Sequence, residues 1–284
     1  MVDIKRRETG EIIVTVDADS LVGADLTEYD LRGADLRGLN LQRANFWHSD
    51  LREADLSNAN LEGATLHGAT FSNAILRQAN MTHVNAGTIH LGGTVVLSRA
   101  DLSGVILDKA YLRNAEIRGA NLEQALLCNC DMRDVDFHGS NMRNAIVRRT
   151  LLIGANLSDT DLSEVDFRNS HLNDANLKRA NLQGADMSSL HPGGFTVLNL
   201  AHLENANLRN AKLCSVLAEQ ADFRFADLSN ADLTGAVLGG STLHRANVQN
   251  ADFSDVELAT VDMTYANFSQ AKNADIPFYK KHIR

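Results

Sequence analysis

The sequence predicts an all-β chain wound as a parallel β-helix, a solenoid of stacked coils. Three observations carry that prediction. From Ala24 to Phe268 the chain repeats every five residues, beginning Ala-Asp-Leu-Thr-Glu, Tyr-Asp-Leu-Arg-Gly, Ala-Asp-Leu-Arg-Gly. Each repeat sets a small residue two places before a large apolar one. Only 5% of residues are aromatic and only Pro192 and Pro277 are proline, so many similar thin layers fit better than one irregular core.

The large residues define the frame. They fall at every fifth position from Leu26 to Leu91, from Leu97 to Pro192 and from Leu198 to Phe268, giving 49 centres of which 46 are Leu, Ile, Val, Met or Phe. Ala86, Pro192 and Ala218 are the exceptions. A period of five matches neither the 3.6 of a helix nor the sustained period two of a long strand, but it matches a short strand plus a corner. The centre and the small residue point inward, the Asp or Asn between them points out, and the last two residues turn. Glycine at corners such as Gly33, Gly38, Gly63 and Gly68 suits a tight bend. An inward residue such as Leu157 is expected to be indispensable and an outward one such as Ser158 to tolerate change.

Residues 1–20 read as an N-terminal capping hairpin. Glu8-Thr9-Gly10 makes the turn, and Ile12, Val14 and Val16 alternate along a strand with one apolar face. Residues 21–270 carry the repeats. Residues 271–284 leave the pattern and hold Ile276, Pro277, Phe278, Tyr279 and Ile283 among Lys280, Lys281 and Arg284, a tail suited to capping the last coil or to a homodimer contact.

The motif Ala-(Asp or Asn)-Leu-x-x, in frame over about residues 24–270, resembles the pentapeptide-repeat proteins. The resemblance implies a right-handed quadrilateral β-helix in which four of the five-residue repeats make one coil. The 49 centres then make about 12 coils, a rod roughly 60 Å long at the strand spacing of about 4.8 Å. His90-Leu-Gly-Gly-Thr-Val-Val-Leu97 echoes His191-Pro-Gly-Gly-Phe-Thr-Val-Leu198 at an offset of 101 residues. Reading one extra residue at each frame break, near Gly92-Gly93 and Gly193-Gly194, leaves 20 repeats between them and puts both breaks on the same face. His171 and His191 would then stack one coil apart.

The chemistry-bearing residues are sparse. Cys128, Cys130 and Cys214 form no Cys-x-x-Cys pair, and Cys130 sits in a small inward slot, so neither a disulfide nor a metal site is expected. Two stacked histidines without a carboxylate or thiolate cluster are too few for a metal. Asp and Ser recur as repeat filler, so no catalytic grouping stands out and no cofactor is expected. Trp47 follows a centre and should face out. The chain is expected not to be an enzyme.

Charge narrows the partners. The formal charge is -9, which argues against direct nucleic-acid binding. No apolar run is long enough for a signal peptide or membrane span, so the chain is expected in the cytosol. Between Val216 and Phe268, Asp222, Asp227, Asp232, Asp252, Asp255 and Asp262, with Glu219 and Glu257, face only Arg224 and Arg245.

Two functions follow. The first is a rigid interaction scaffold for an unidentified protein partner. The second comes from the resemblance: quinolone-resistance members of the family act as DNA mimics that bind a type II topoisomerase such as gyrase, with ordered carboxylates standing where phosphates would. Those members dimerise through an apolar C-terminal segment, whereas the tail here is short and basic.

Overall fold

The computed structural model describes residues 1–87, 93–191 and 193–278. The chain divides into two compact units, Met1–Asn141 and Met142–Arg284.

The first unit opens with β1 (Val2–Arg6) and β2 (Ile12–Val16), antiparallel through Val2↔Val16, Asp3↔Thr15 and Ile4↔Val14. Gly10 adopts φ +71 in the turn, where its missing side chain removes the usual penalty. A bulge between Ile4 and Lys5 shifts the register so that Lys5 faces Ile12. The anticipated single apolar face is therefore interrupted: Ile12 is 50% exposed, while Ile4 is fully buried. The other edge of β1 pairs antiparallel with β3 (Ala34–Asp35) through Lys5↔Asp35 and Arg6↔Ala34.

From there each repeat contributes one bridging residue, and the bridges are parallel. Asp25 pairs with Asn45, Asp30 with Asp50, Asp35 with Asp55 and Asn40 with Asn60, and Asn45 then continues to Thr65. Four columns of bridges, one from each successive repeat, make a four-sided coil. The second unit has the same four columns, running from Ile146, Leu151, Asn156 and Asp161.

The large centres and the small residues line the interior. Leu26, Leu31, Leu36 and Leu41 are completely buried, as are Phe46, Phe71, Phe137, Phe167 and Phe253. Ala86 and Ala218, the small exceptions in the frame, are equally buried. Each buried Leu or Phe contributes about 1.5–3 kcal/mol relative to exposure. Cys130 fills a small slot, with its thiol directed at the Leu107 carbonyl at 3.0 Å.

Many corners are built by the outward Asp or Asn. Its Oδ1 accepts the backbone N–H two residues on, as Asn60 does from Glu62 at 3.1 Å and Asp161 from Ser163 at 3.0 Å. This local side-chain turn explains why Asp and Asn are the commonest occupants of the slot. The last residue of the repeat is left-handed at nearly every corner, including Arg43, His48, Gln78, Lys109 and Asn210 at φ 54–59. Glycine is thus one of many occupants. Thr260 occupies the equivalent slot without a positive φ, Glu257 beside it makes no ladder bridge, and the Thr260 hydroxyl instead accepts the Gly240 N–H at 3.1 Å. A β-branched residue is poorly suited to the left-handed region.

Two returns are longer than a coil. Thr65 pairs with Asn85, one regular coil on, but Thr70 pairs with Val96, six residues beyond that interval. In the second unit Asp166 pairs with Asp186, one coil on, but His171 pairs with Val197. Each break therefore inserts six residues, one repeat plus one, rather than the single residue read from the frame. The count of 49 centres and the shared face for both breaks rested on that smaller insertion, and neither premise stands. His171 does not stack on His191: it bridges Val197, and His191 lies in the inserted loop, where its carbonyl accepts the Gly194 N–H. His90, Leu91, Gly92, Pro192, Tyr279, Lys280, Lys281, Ile283 and Arg284 lie outside the described residues.

Candidate interaction surfaces

The acidic residues of the last coils are dealt to three sides and a corner of the second unit. Asp222 and Asp262 share the column His202, Asp222, Thr242, Asp262. Asp227 lies on the next side between Asn207 and Asn247, and Asp232 and Asp252 on the third between Lys212 and Lys272. Asp255 is a left-handed corner at φ 59. Only Asp232 and Asp252 are brought together as ladder neighbours.

These carboxylates also have structural partners. Asp222, Asp227, Asp232, Asp252 and Asp262 each accept the backbone N–H two residues on, all at 3.0 Å. Burial pushes the Asp222 carboxyl up, but hydrogen bonds from Arg224 outweigh it and hold it below the ordinary carboxylate range. Burial is likewise overcome at Asp232 by Cys214 and Thr234. The Ser254 and Thr264 hydroxyls lower Asp252 and Asp262 respectively. All four stay ionised at neutral pH while serving the turns.

Two of the three thiols carry little nucleophilic character. Burial pushes Cys130 up to about 12, and burial with the adjoining Asp232 carboxylate does the same at Cys214. A protonated thiol is a poor nucleophile and metal ligand. Among the described residues no group of three or more His, Cys, Asp or Glu could hold a metal ion. Gly93 and Gly194 adjoin tight contacts: a side chain at Gly93 would meet the Gly68 backbone and the His48 ring, and one at Gly194 would meet the Asn169 amide. Gly193 has open space around it at φ +83. Trp47 is partly exposed and packs edge-on against His48 at 4.1 Å.

A second feature escaped the five-residue frame. Phe225, Arg245 and Tyr265 occupy the same corner slot in three successive coils. The Arg245 guanidinium lies 5.6 Å from both ring centroids, inserted between them. His244 meets the two rings edge-on at 6.0 and 5.7 Å. Phe225 and Tyr265 remain 47% and 57% exposed, and Arg245 makes no ion pair among the described residues. Reading the sequence at a spacing of four repeats would have aligned the three.

Among solved structures, the chain is similar to HetL, a pentapeptide repeat protein involved in heterocyst differentiation regulation from the cyanobacterium Nostoc sp. strain PCC 7120. Identity is 25%, with 88% of this chain and 87% of that one covered and a TM-score of 0.24. Full-length QnrB1, a plasmid-mediated fluoroquinolone resistance protein, matches at 19% identity over 70% of this chain and 89% of its own, with a TM-score of 0.31. A pentapeptide repeat protein of the Arabidopsis thaliana thylakoid lumen matches at 26% over 42% of this chain and 69% of its own, with a TM-score of 0.20. No curated protein matches. No helix among the described residues is long and apolar enough to cross a membrane. The family model for pentapeptide repeats matches in eight copies over residues 20–58, 49–85, 96–134, 130–169, 161–189, 201–240 and 241–272. The outward Asp and Asn turns, the buried centres and this match together assign the chain to the pentapeptide repeat family.

Proposed function

We propose that the protein is a non-enzymatic interaction scaffold whose outer surface docks a protein partner in the cytosol, without a cofactor or direct nucleic-acid contact. The observation that carries this reading is the Phe225, Arg245, Tyr265 column. Aromatic rings and arginine are the side chains that most often anchor protein interfaces. Stacked on one another at successive coils, they are ordered before a partner arrives, which lowers the entropy lost on docking. The test compares partners captured by the wild-type chain and by a Phe225→Ala, Tyr265→Ala variant. Loss of a partner from the variant supports the reading, and equal capture by both removes this column from the interface.

The second reading is a DNA mimic that binds a type II topoisomerase such as gyrase. The charge of -9 favours it. The distribution of the six aspartates over three sides and a corner gives it less support than a single acidic line would. Its test is inhibition of gyrase supercoiling, with Asp227, Asp232, Asp252 and Asp255 changed together to Asn. Asn keeps the turn acceptor, as Asn207 and Asn247 do, and removes only charge. Inhibition by the wild type that the variant loses supports mimicry; no inhibition by the wild type ends it.

A further inference from the structure

The outward slot of the second unit is polar on most sides but mainly aliphatic on one, where His171 is the polar member of the ladder. The column beginning at Leu151 reads Leu151, His171, Val197, Leu217, Val237. On the other three sides the same slot is Asp, Asn, Lys, His or Thr, with Ile146 the one aliphatic residue among the bridges. Val237 is 42% exposed, and Leu200, at the corner of the same side, is 51% exposed in a left-handed conformation.

An aliphatic residue in this slot gives up the local turn acceptor. At Leu217 the loss is compensated from the preceding coil: the Glu219 N–H donates to Asn199 Oδ1 at 2.9 Å. The corner stays hydrogen-bonded while its outer surface becomes apolar.

The two borders of this side carry opposite charges. Arg149 stands exposed at the corner leading into it, with no ion pair to another side chain among the described residues. Asp174 stands at the corner leading out, its side chain 68% exposed and 3.7 Å from His202. Arg149 and Asp174 belong to successive rungs, about 5 Å apart along the ladder, within the reach of an arginine side chain.

We propose that this side of the second unit is a self-association surface, on which a second copy of the chain docks about a two-fold axis parallel to the ladder. That rotation lays the apolar column on its own copy and brings each Arg149 border to the partner's Asp174 border. Complementarity of the surface with itself is what selects a second copy as the occupant. From Leu151 to Val237 the column rises through four ladder steps, about 19 Å, a small patch that supports weak association.

Sedimentation equilibrium of the full chain from about 10 μM to about 1 mM tests this. The expected result is an average mass that rises with concentration toward that of a dimer. Val237→Glu with Leu200→Glu should weaken association at least about tenfold. If that variant misfolds, surface charges decide: Arg149→Glu should weaken association by a similar factor, and adding Asp174→Arg should restore it. Phe278→Ser in the exposed tail should leave it unchanged. A chain still monomeric at the top of that range, association indifferent to Arg149→Glu, or association lost only with Phe278→Ser would each overturn the proposal.

Discussion

The hydroxyl of Ser140 donates to the carbonyl of Ile117, in the preceding coil, at 2.6 Å and accepts the N–H of Ala120 at 3.2 Å. It sits in a small inward slot and bridges a corner that elsewhere closes directly, as Ala115 N–H does on the Leu112 carbonyl at 3.0 Å. Ser241 occupies the same kind of slot, but the corresponding corner is already closed, Ala221 N–H on the Ala218 carbonyl, and the Ser241 hydroxyl is buried without a partner. The two serines should therefore respond oppositely to alanine. Ser140→Ala should cost up to about 1 kcal/mol, and Ser241→Ala should stabilise by about 1 kcal/mol, because an orphaned hydroxyl is relieved of its desolvation penalty. Urea midpoints at unchanged slope measure both. A destabilised Ser241→Ala chain would mean that its hydroxyl has an acceptor.

The left-handed corners give a backbone prediction. Asn210 has φ 57, and its N–H donates to Ser229 carbonyl at 3.1 Å. Asn210→Val should cost roughly 1–3 kcal/mol, and Asn210→Gly well under that, since only the branched side chain resists this conformation. Equal losses would assign the effect to the Asn side chain rather than to the backbone.

Acid should weaken the stack before it unfolds it. Burial pushes the Asp166 carboxyl up, but hydrogen bonds from Arg168 and Arg148 prevail and bring it down to about 2. The Arg32 hydrogen bond does the same for Asp30, also to about 2. A carboxyl whose folded value lies below its unfolded value of about 3.9 stabilises fully above that value. The contribution is lost as pH falls from about 4 toward 2. Thermal midpoints between pH 7 and pH 2 should fall mainly in that window, and Asp166→Asn should flatten the decline. A decline already complete at pH 5 would point to other groups.

Core position and surface position should separate sharply. Leu157→Asp buries a carboxylate among stacked leucines and should abolish folding of the second unit, a loss of more than about 4 kcal/mol. Ser158 is not the tolerant neighbour its place in the repeat implies: it is only 6% exposed, and its hydroxyl donates to Asn156 Oδ1 at 2.7 Å. The exposed Gln183 is the proper control, and Gln183→Ala should stay within about 0.5 kcal/mol of wild type. Circular dichroism and thermal midpoints distinguish the two outcomes.

Within the regular coils the inward column was legible because a five-residue frame fixes which side chain faces in, wherever the coil closes; the centres read at Leu91 and Pro192 lie outside the described residues. Even Ala218 keeps its buried place. What the frame did not contain was the closure itself. Whether a residue meets its partner after one coil or after a coil and six residues more depends on which repeats form a side, so His171 was matched with His191 instead of Val197. The corner slots were legible only in part: Gly33, Gly38, Gly63 and Gly68 do turn with positive φ, but so do many residues other than glycine. Glycine advertises a left-handed backbone, whereas Arg43 adopts one beside the Asn40 turn, and Gln78, which follows Ile75, is held by the ladder bond its N–H donates to the Ser103 carbonyl. The Phe225, Arg245, Tyr265 stack was hidden because its members lie a whole coil apart in sequence. The six aspartates, evenly acidic in sequence, separate once four sides are assigned.

The short returns of the bridges also set a timescale. Most ladder partners lie a single coil apart in a chain of 284 residues, so relative contact order is about 0.07, in the range of fast-folding helical bundles rather than of sheet proteins. Each coil needs only its predecessor as a template, and growth can spread from any formed pair of coils. Lengthening a return by six residues adds only about 0.2 kcal/mol of closure entropy. The two six-residue insertions therefore scarcely delay propagation, and they are the natural places to splice in foreign sequence.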